Sequence, residues 1–207
     1  MWYPAKVTAP PASEPVTSAE VKKQCGIASA DTSYDAMITR MIASERGYVE
    51  RYCSIKVVTQ AVDVTCDGFC DFARFPVAPL QSISSIAYVD AVGQPQTLSS
   101  AVYQLREDGL QPEIERKHGQ VWPAIQSGSR ITVTAIVGFA AVPEQISTAI
   151  LLRIGRLFSL SKADPALRKR VVEGVGSREW DQSGAAEAGI NRAVADLLED
   201  FRCWPLS

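Results

Sequence analysis

The residues in this chain that could take part in chemistry are few and widely separated. The single histidine, His118, lies in the charged segment Glu-Arg-Lys-His-Gly-Gln, which is typical of a solvated turn. Any Ser-His or Cys-His mechanism would have to use it, because such a nucleophile needs an adjacent base. No nucleophile motif lies near it. The carboxylates Asp63, Asp67 and Asp71 show no spacing that singles out an acid/base pair.

The pair Cys66-x-x-x-Cys70 resembles half of a zinc site, but a structural zinc needs four ligands and His118 has no neighbouring cysteine. We interpret the two as buried or half-buried thiols around a turn at Asp67-Gly68. The incomplete ligand set predicts no metal. No Gly-rich phosphate loop is present, so nucleotide binding is unsupported and we expect no cofactor. The cysteine count is odd and no export signal is found, so reduced thiols are expected at all five: Cys25, Cys53, Cys66, Cys70 and Cys203.

The run Arg168-Lys169-Arg170 is the best candidate for a phosphate contact. Three cations in a Gly-containing segment can follow a nucleic-acid backbone without reading its sequence. A solvated basic loop is the alternative interpretation of the same residues. The whole chain has 21 Lys and Arg against 23 Asp and Glu, so its net charge of -2 attracts no polyanion.

The length and composition are those of an ordinary folded protein with one domain, or one core and an inserted subdomain. The chain has 207 residues, of which 46% are hydrophobic and 21% charged. The most apolar segment, residues 131–142, ends at Pro143 and is well short of the roughly 20 residues that span a bilayer. We therefore expect no membrane span, and folding in a cytoplasm.

Helical patterns lie on both sides of a central segment. Thr17-Ser18-Ala19-Glu20 fits a capping box, and Asp31 or Thr32 is a plausible cap for a long amphipathic helix that reaches Tyr52. Pro143 suits the first turn of a third helix, which is apolar around nearly its whole circumference to Leu160 and should be central. Residues 161–189 are poor in apolar periodicity and are interpreted as a mobile loop. A last helix is predicted over residues 185–201.

The central segment alternates with a period of two and is rich in β-branched residues, which predicts strands. Val92-Gly93 and Asp108-Gly109 supply hairpin turns, and the run from Ile131 to Val137 closes the segment as a half-buried strand. No crossover helices separate these strands, so the sheet should be antiparallel.

These patterns predict an α+β fold, a small α-helical bundle with an inserted antiparallel β subdomain. Its four parts are an extended Pro-rich arm, a helical core in two pieces, the β subdomain and a short tail. The arm comprises residues 1–16, and the helical core comprises residues 17–54 and 143–201. The β subdomain comprises residues 55–142, and the tail comprises residues 202–207.

The order of several segments resembles that of the head-tail connector (adaptor) proteins of long-tailed bacteriophages and gene transfer agents. The similarity runs from about residue 8 to residue 203 and rests on order and spacing. The segments that carry it are Pro-Val-Thr-Ser-Ala-Glu at 15–20, Phe-Pro-Val-Ala-Pro-Leu-Gln-Ser-Ile at 75–83, Tyr-Val-Asp-Ala-Val-Gly at 88–93, Trp-Pro at 122–123, and Gly-Phe-Ala-Ala-Val-Pro-Glu at 138–144.

The resemblance implies a structural, non-enzymatic protein of the virion, located at the head-tail junction and assembled in the bacterial host cytoplasm. Its partners would be further copies in a dodecameric ring, the portal, a tail-side stopper or head-completion protein, and packaged double-stranded DNA passing through the channel. C-terminal segments of such proteins commonly engage the portal, which implies a docking role for Phe201, Arg202 and Trp204.

Two other hypotheses remain open at this stage. One is a nucleic-acid-binding module that uses Arg168, Lys169 and Arg170. The other is a small enzyme that relies on Cys66, Cys70 or His118, which would require a thiol of unusual reactivity.

Overall fold

The architecture was obtained as a computed structural model that describes residues 1–106, 109–162, 169–172, 176–179 and 185–203. These residues contain four α-helices and nine β-strands, and every pair of neighbouring strands in the sheets is antiparallel. The predicted α+β class is therefore confirmed. The chain divides into two units: a β unit of Met1–Ser13, Glu50–Val142 and Phe201–Ser207, and a helical unit of Glu14–Val49 and Pro143–Asp200. The four-part organisation by residue ranges stays a prediction.

Helix α1 (Ser18–Gln24) begins at the predicted capping box. The backbone N–H of Glu20 donates to Thr17 Oγ1 at 3.2 Å, and the backbone N–H of Thr17 donates to Glu20 Oε2 at 2.6 Å. These two bonds satisfy donors that have no partner inside the helix.

Helix α2 (Asp35–Cys53) starts later than the sequence pattern predicted. Asp31 does not cap it, because the Asp31 carboxylate accepts the backbone N–H of Ser33 at 2.9 Å and so closes a local turn. The predicted apolar stripe is present, and Ile38, Ile42 and Val49 are buried.

The end of α2 provides a stability prediction. Ser54 has a φ of 57°, and the backbone N–H of Ile55 donates to the carbonyl of Glu50 at 3.1 Å, which is the outer hydrogen bond of a Schellman motif. A side chain at this φ is strained and glycine is not. We expect Ser54→Gly to raise the free energy of unfolding by about 0.5–1 kcal/mol in urea titrations. Ser44→Gly, at an exposed site inside α2, is the control and should lower it by a similar amount. Equal losses in both variants would contradict the assignment.

Helix α3 (Glu144–Lys162) follows Pro143 as predicted, but its circumference is not buried throughout. One stripe is buried, whereas Leu157 and Leu160 are 37% and 52% exposed. A run of apolar residues can therefore continue around a helix that has only one covered face. The buried stripe comprises Ile146, Ala149, Ile150, Ile154 and Phe158.

Part of the predicted mobile loop contains regular structure. Strand β8 (Lys169–Val172) pairs with β9 (Gly176–Glu179), and helix α4 (Ala185–Leu198) follows, with its end continued by a 3-10 turn at Glu199–Phe201. The interpretation of residues 161–189 as a loop was therefore wrong for these elements. The predicted last helix is confirmed.

The main sheet contains β1 (Lys6–Ala9), β2 (Gln60–Cys66), β3 (Leu80–Val89), β4 (Pro95–Thr97) and β7 (Ile131–Val137), in the order β1-β2-β7-β3-β4. Strands β2 and β7 bury every second residue, which confirms the half-buried strand predicted at 131–137. The turn at Val92-Gly93 joins β3 to β4, with Gly93 at a φ of 86°. Strands β5 (Tyr103–Arg106) and β6 (Glu113–Arg116) form a separate hairpin.

Aromatic side chains close one part of the β-unit core. A 3-10 turn at Phe69–Ala73 directs Phe69 and Phe72 inward, and Phe69 stacks on Trp122 with ring centroids 4.9 Å apart. Trp2 stacks on Phe72 at 5.9 Å and donates its indole N–H to the Asp71 carbonyl at 2.9 Å. These contacts attach the start of the chain to the β unit.

Candidate interaction site

The last described residues of the chain return to the β unit, although they follow α4 of the helical unit in sequence. The ring of Phe201 meets the ring of Phe139 edge to face, with centroids 6.0 Å apart. Phe139 lies just beyond β7, where its backbone is bridged to Val58. Phe201, a predicted docking residue, is therefore half-buried against its own chain.

Arg202 and Cys203 contact the end of α2. The guanidinium of Arg202 lies 5.0 Å from the ring centroid of Tyr52, and the backbone N–H of Cys203 donates to the carbonyl of Cys53 at 2.8 Å. The last carbonyls of a helix have no partner inside it, so this hydrogen bond serves as a cap from a distant part of the sequence. A cation near a helix C-terminus is also favourable. Trp204, the third predicted docking residue, lies outside the described residues.

The surface that the C-terminal segment contacts was not predicted from the sequence. Tyr52, Cys53 and Phe139 form it, and none of the three was predicted to contact the C-terminal segment. They are separated from residues 201–203 by about 60 to 150 positions, so no local periodicity could connect them.

The basic cluster is only partly placed. Arg168 lies outside the described residues, whereas Lys169 and Arg170 are the first two residues of β8. The strand register sets Arg170 opposite Arg178, and Lys169 opposite Glu179. The loop interpretation could not predict this strand pairing.

Of the residues considered for catalysis, Cys66 is in unreactive surroundings. Burial raises the pKa of Cys66 to about 12, and its thiol donates to the carbonyl of Gly68 at 3.5 Å. A thiol with such a pKa is almost entirely protonated at neutral pH and is a poor nucleophile. Cys70 and His118 are exposed. In the part of the chain that the structure describes, no three His, Cys, Asp or Glu side chains are grouped to hold a metal ion.

None of the helices within the described ranges is long and apolar enough to cross a membrane.

Together these features define an α+β protein whose C-terminal segment returns to the β unit. Searches found no matching family model and no matching curated protein. Solved structures do match this fold over nearly the full length of the chain.

A chain from the neck of an empty gene transfer agent particle, computed with C6 symmetry, is 16% identical with a TM-score of 0.69, covering 99% of this chain and 98% of that one. A chain from the virion of a native gene transfer agent particle is 17% identical with a TM-score of 0.68, covering 98% and 97%. A chain from the neck of a native particle, computed with C12 symmetry, is 17% identical with a TM-score of 0.60, covering 97% of both chains. At these identities the similarity establishes a shared fold.

Proposed function

We propose that this chain is a structural head-tail connector (adaptor) of a tailed phage or phage-like particle. It forms a dodecameric ring under the portal, extends the DNA channel and presents a docking surface to the next tail-side protein. The observation that carries the proposal is the nearly full-length similarity to chains of gene transfer agent particles, two of them in neck structures. The role is non-enzymatic, in keeping with the buried, protonated thiol of Cys66.

Phe201, Arg202 and Trp204 are proposed to dock on the portal in different ways. Phe201 and Arg202 contact Phe139 and Tyr52 of their own chain, so they orient the residues that follow. Trp204 is then the side chain best suited to enter a portal pocket, because buried aromatic anchors dominate most protein interfaces. A ring of identical subunits also needs a head-to-tail interface that closes by rotation.

The proposal predicts that the purified chain binds its cognate portal and forms a ring on it. Electron microscopy of the mixture should show a coaxial ring that is absent from the portal alone. Trp204→Ala should weaken binding by roughly 30-fold or more, the loss expected of an interface hot spot. Val121→Ser, which changes an exposed apolar side chain elsewhere in the β unit, should bind normally. A chain that does not bind the portal would overturn the proposal of an adaptor function.

The alternative function is a nucleic-acid-binding module, favoured by the position of Arg178 opposite Arg170. It predicts DNA binding that weakens steeply as salt is raised. Changing Arg168, Lys169 and Arg170 to Ala would abolish that binding. If the chain is an adaptor, the same triple variant still binds the portal. Testing this one variant for DNA binding and for portal binding therefore distinguishes the two functions.

A further inference from the structure

Two cysteines about 150 residues apart in sequence are neighbours in the β unit. The backbone N–H of Cys203 donates to the carbonyl of Cys53 at 2.8 Å, so their backbones are in direct contact. A single N–H···O bond of this length keeps the two Cα atoms near the roughly 4.4–6.8 Å separation of disulfide-linked cysteines. Both are thiols in this structure. Their backbone arrangement is therefore compatible with a covalent link.

The two thiols differ in solvent exposure and interact electrostatically. Cys53 is fully buried, whereas Cys203 is half-buried and donates its S–H to the carbonyl of Leu110 at 3.2 Å. Burial raises the pKa of Cys53 to about 11. Arg202 opposes this increase, and a charge on Cys203 adds to it. That last effect means that the two sulfurs lie within electrostatic range. Burial raises the pKa of Cys203 as well, so both thiols exchange slowly at neutral pH and faster in alkaline buffer.

We propose that Cys53 and Cys203 form a thiol–disulfide exchange site that takes a low-molecular-weight disulfide, such as oxidised glutathione, as its oxidant. The Cys203 thiolate attacks one sulfur of the oxidant, forms a mixed disulfide and releases one glutathione thiolate. The Cys53 thiolate then attacks the Cys203 sulfur, forms the Cys53–Cys203 bond and releases the second glutathione. The protein loses two protons and two electrons, and the oxidant is reduced to two thiols.

The consequence is a C-terminal segment that can be held by a covalent bond. In the reduced chain, residues 201–203 are held by the Phe201–Phe139 contact, the Arg202–Tyr52 contact and one backbone hydrogen bond. The disulfide replaces the Cys203–Leu110 hydrogen bond and closes a loop of about 150 residues, which restricts the unfolded chain strongly. Because reducing compartments keep thiols reduced, the bond forms only after transfer to an oxidising environment.

The test is to incubate the folded, reduced chain with oxidised glutathione, block remaining thiols by alkylation and map the peptides without reduction. We expect one linked peptide pair that contains Cys53 and Cys203, and a fall in free thiols from five to three. The rate should rise with pH by about tenfold per unit below the thiol pKa, because the thiolate is the attacking species. The melting temperature should rise by roughly 5–10 °C and return on reduction.

Two variants separate this site from general oxidation. Cys203→Ser should remove the linked pair and leave Cys53 unmodified, whereas Cys25→Ser should form the pair at the wild-type rate. A linked pair that appears only after unfolding in urea would overturn the proposal, and so would oxidation of Cys53 in the Cys203→Ser chain. The pair lies within one chain, so these results do not depend on portal binding.

Discussion

Gly138→Ala is expected to lower the free energy of unfolding of the β unit by at least about 3 kcal/mol. Gly138 has a φ of 100°, a conformation that side chains rarely adopt, and it follows β7 directly. A Cβ atom at this position would lie 2.3 Å from the carbonyl oxygen of Val58 and 2.9 Å from the nitrogen of Thr59. Both neighbours are backbone atoms, so the overlap can be relieved only by moving the chain.

Urea unfolding followed by tryptophan fluorescence tests this prediction, because Trp2 and Trp122 belong to the β unit. The control is Gly47→Ala inside α2, where an added Cβ meets nothing within 4 Å. That variant should be more stable by about 0.5–1 kcal/mol, because alanine favours a helix interior over glycine. A loss of less than about 1 kcal/mol in Gly138→Ala would mean that the backbone can move aside without disturbing the sheet.

The requirement for glycine at position 138 was not predicted from the sequence. The run Gly138-Phe139 was used only as part of a family resemblance, since a glycine after a strand is compatible with many turns. Its requirement comes from Val58, 80 positions earlier, whose backbone runs beside it. No local pattern contains that approach. The Gln81 side chain donates to the Gly138 carbonyl at 2.7 Å and adds a third distant segment to the same point.

Secondary-structure elements that depend on residues close together in the sequence were predicted well. The capping box at Thr17 and Glu20 is a contact between residues three apart, and the β7 alternation follows from one face being buried. The order of the sheet was not predictable in this way. Strand β7 lies between β2 and β3, and the residues Lys6–Ala9 join the edge of the same sheet, because backbone pairing between distant segments leaves little trace in either segment.

The candidate interaction site likewise depends on contacts between segments that are distant in sequence. The docking role predicted for Phe201 and Arg202 came from the family resemblance, in which C-terminal segments commonly engage the portal. The structure instead gives them partners in their own chain, Phe139 and Tyr52. These contacts hold residues 201–203 against the β unit of their own chain.

The second large effect is expected in the helical unit, at the ion pair between Glu45 of α2 and Arg153 of α3. The Arg153 guanidinium donates to the Glu45 carboxylate, and the two side chains are only 20% and 5% exposed. The same guanidinium lies 3.5 Å from the ring centroid of Tyr48. Glu45→Ala would leave a mostly buried cation without its carboxylate, so we expect a loss of about 3–5 kcal/mol in the free energy of unfolding. Far-UV circular dichroism during urea titration measures it.

The expected loss comes from an unpaired buried charge rather than from the ion pair being strongly stabilising in itself. Replacing Glu45 and Arg153 together by Met should therefore recover most of the stability that Glu45→Ala loses, because no buried charge remains. Glu113→Ala, which breaks a surface pair with Arg106 at 3.9 Å, should cost less than about 1 kcal/mol because solvent screens exposed charges. If the double Met variant is as unstable as Glu45→Ala, α2 and α3 depend on the polar contact itself, and the desolvation argument fails.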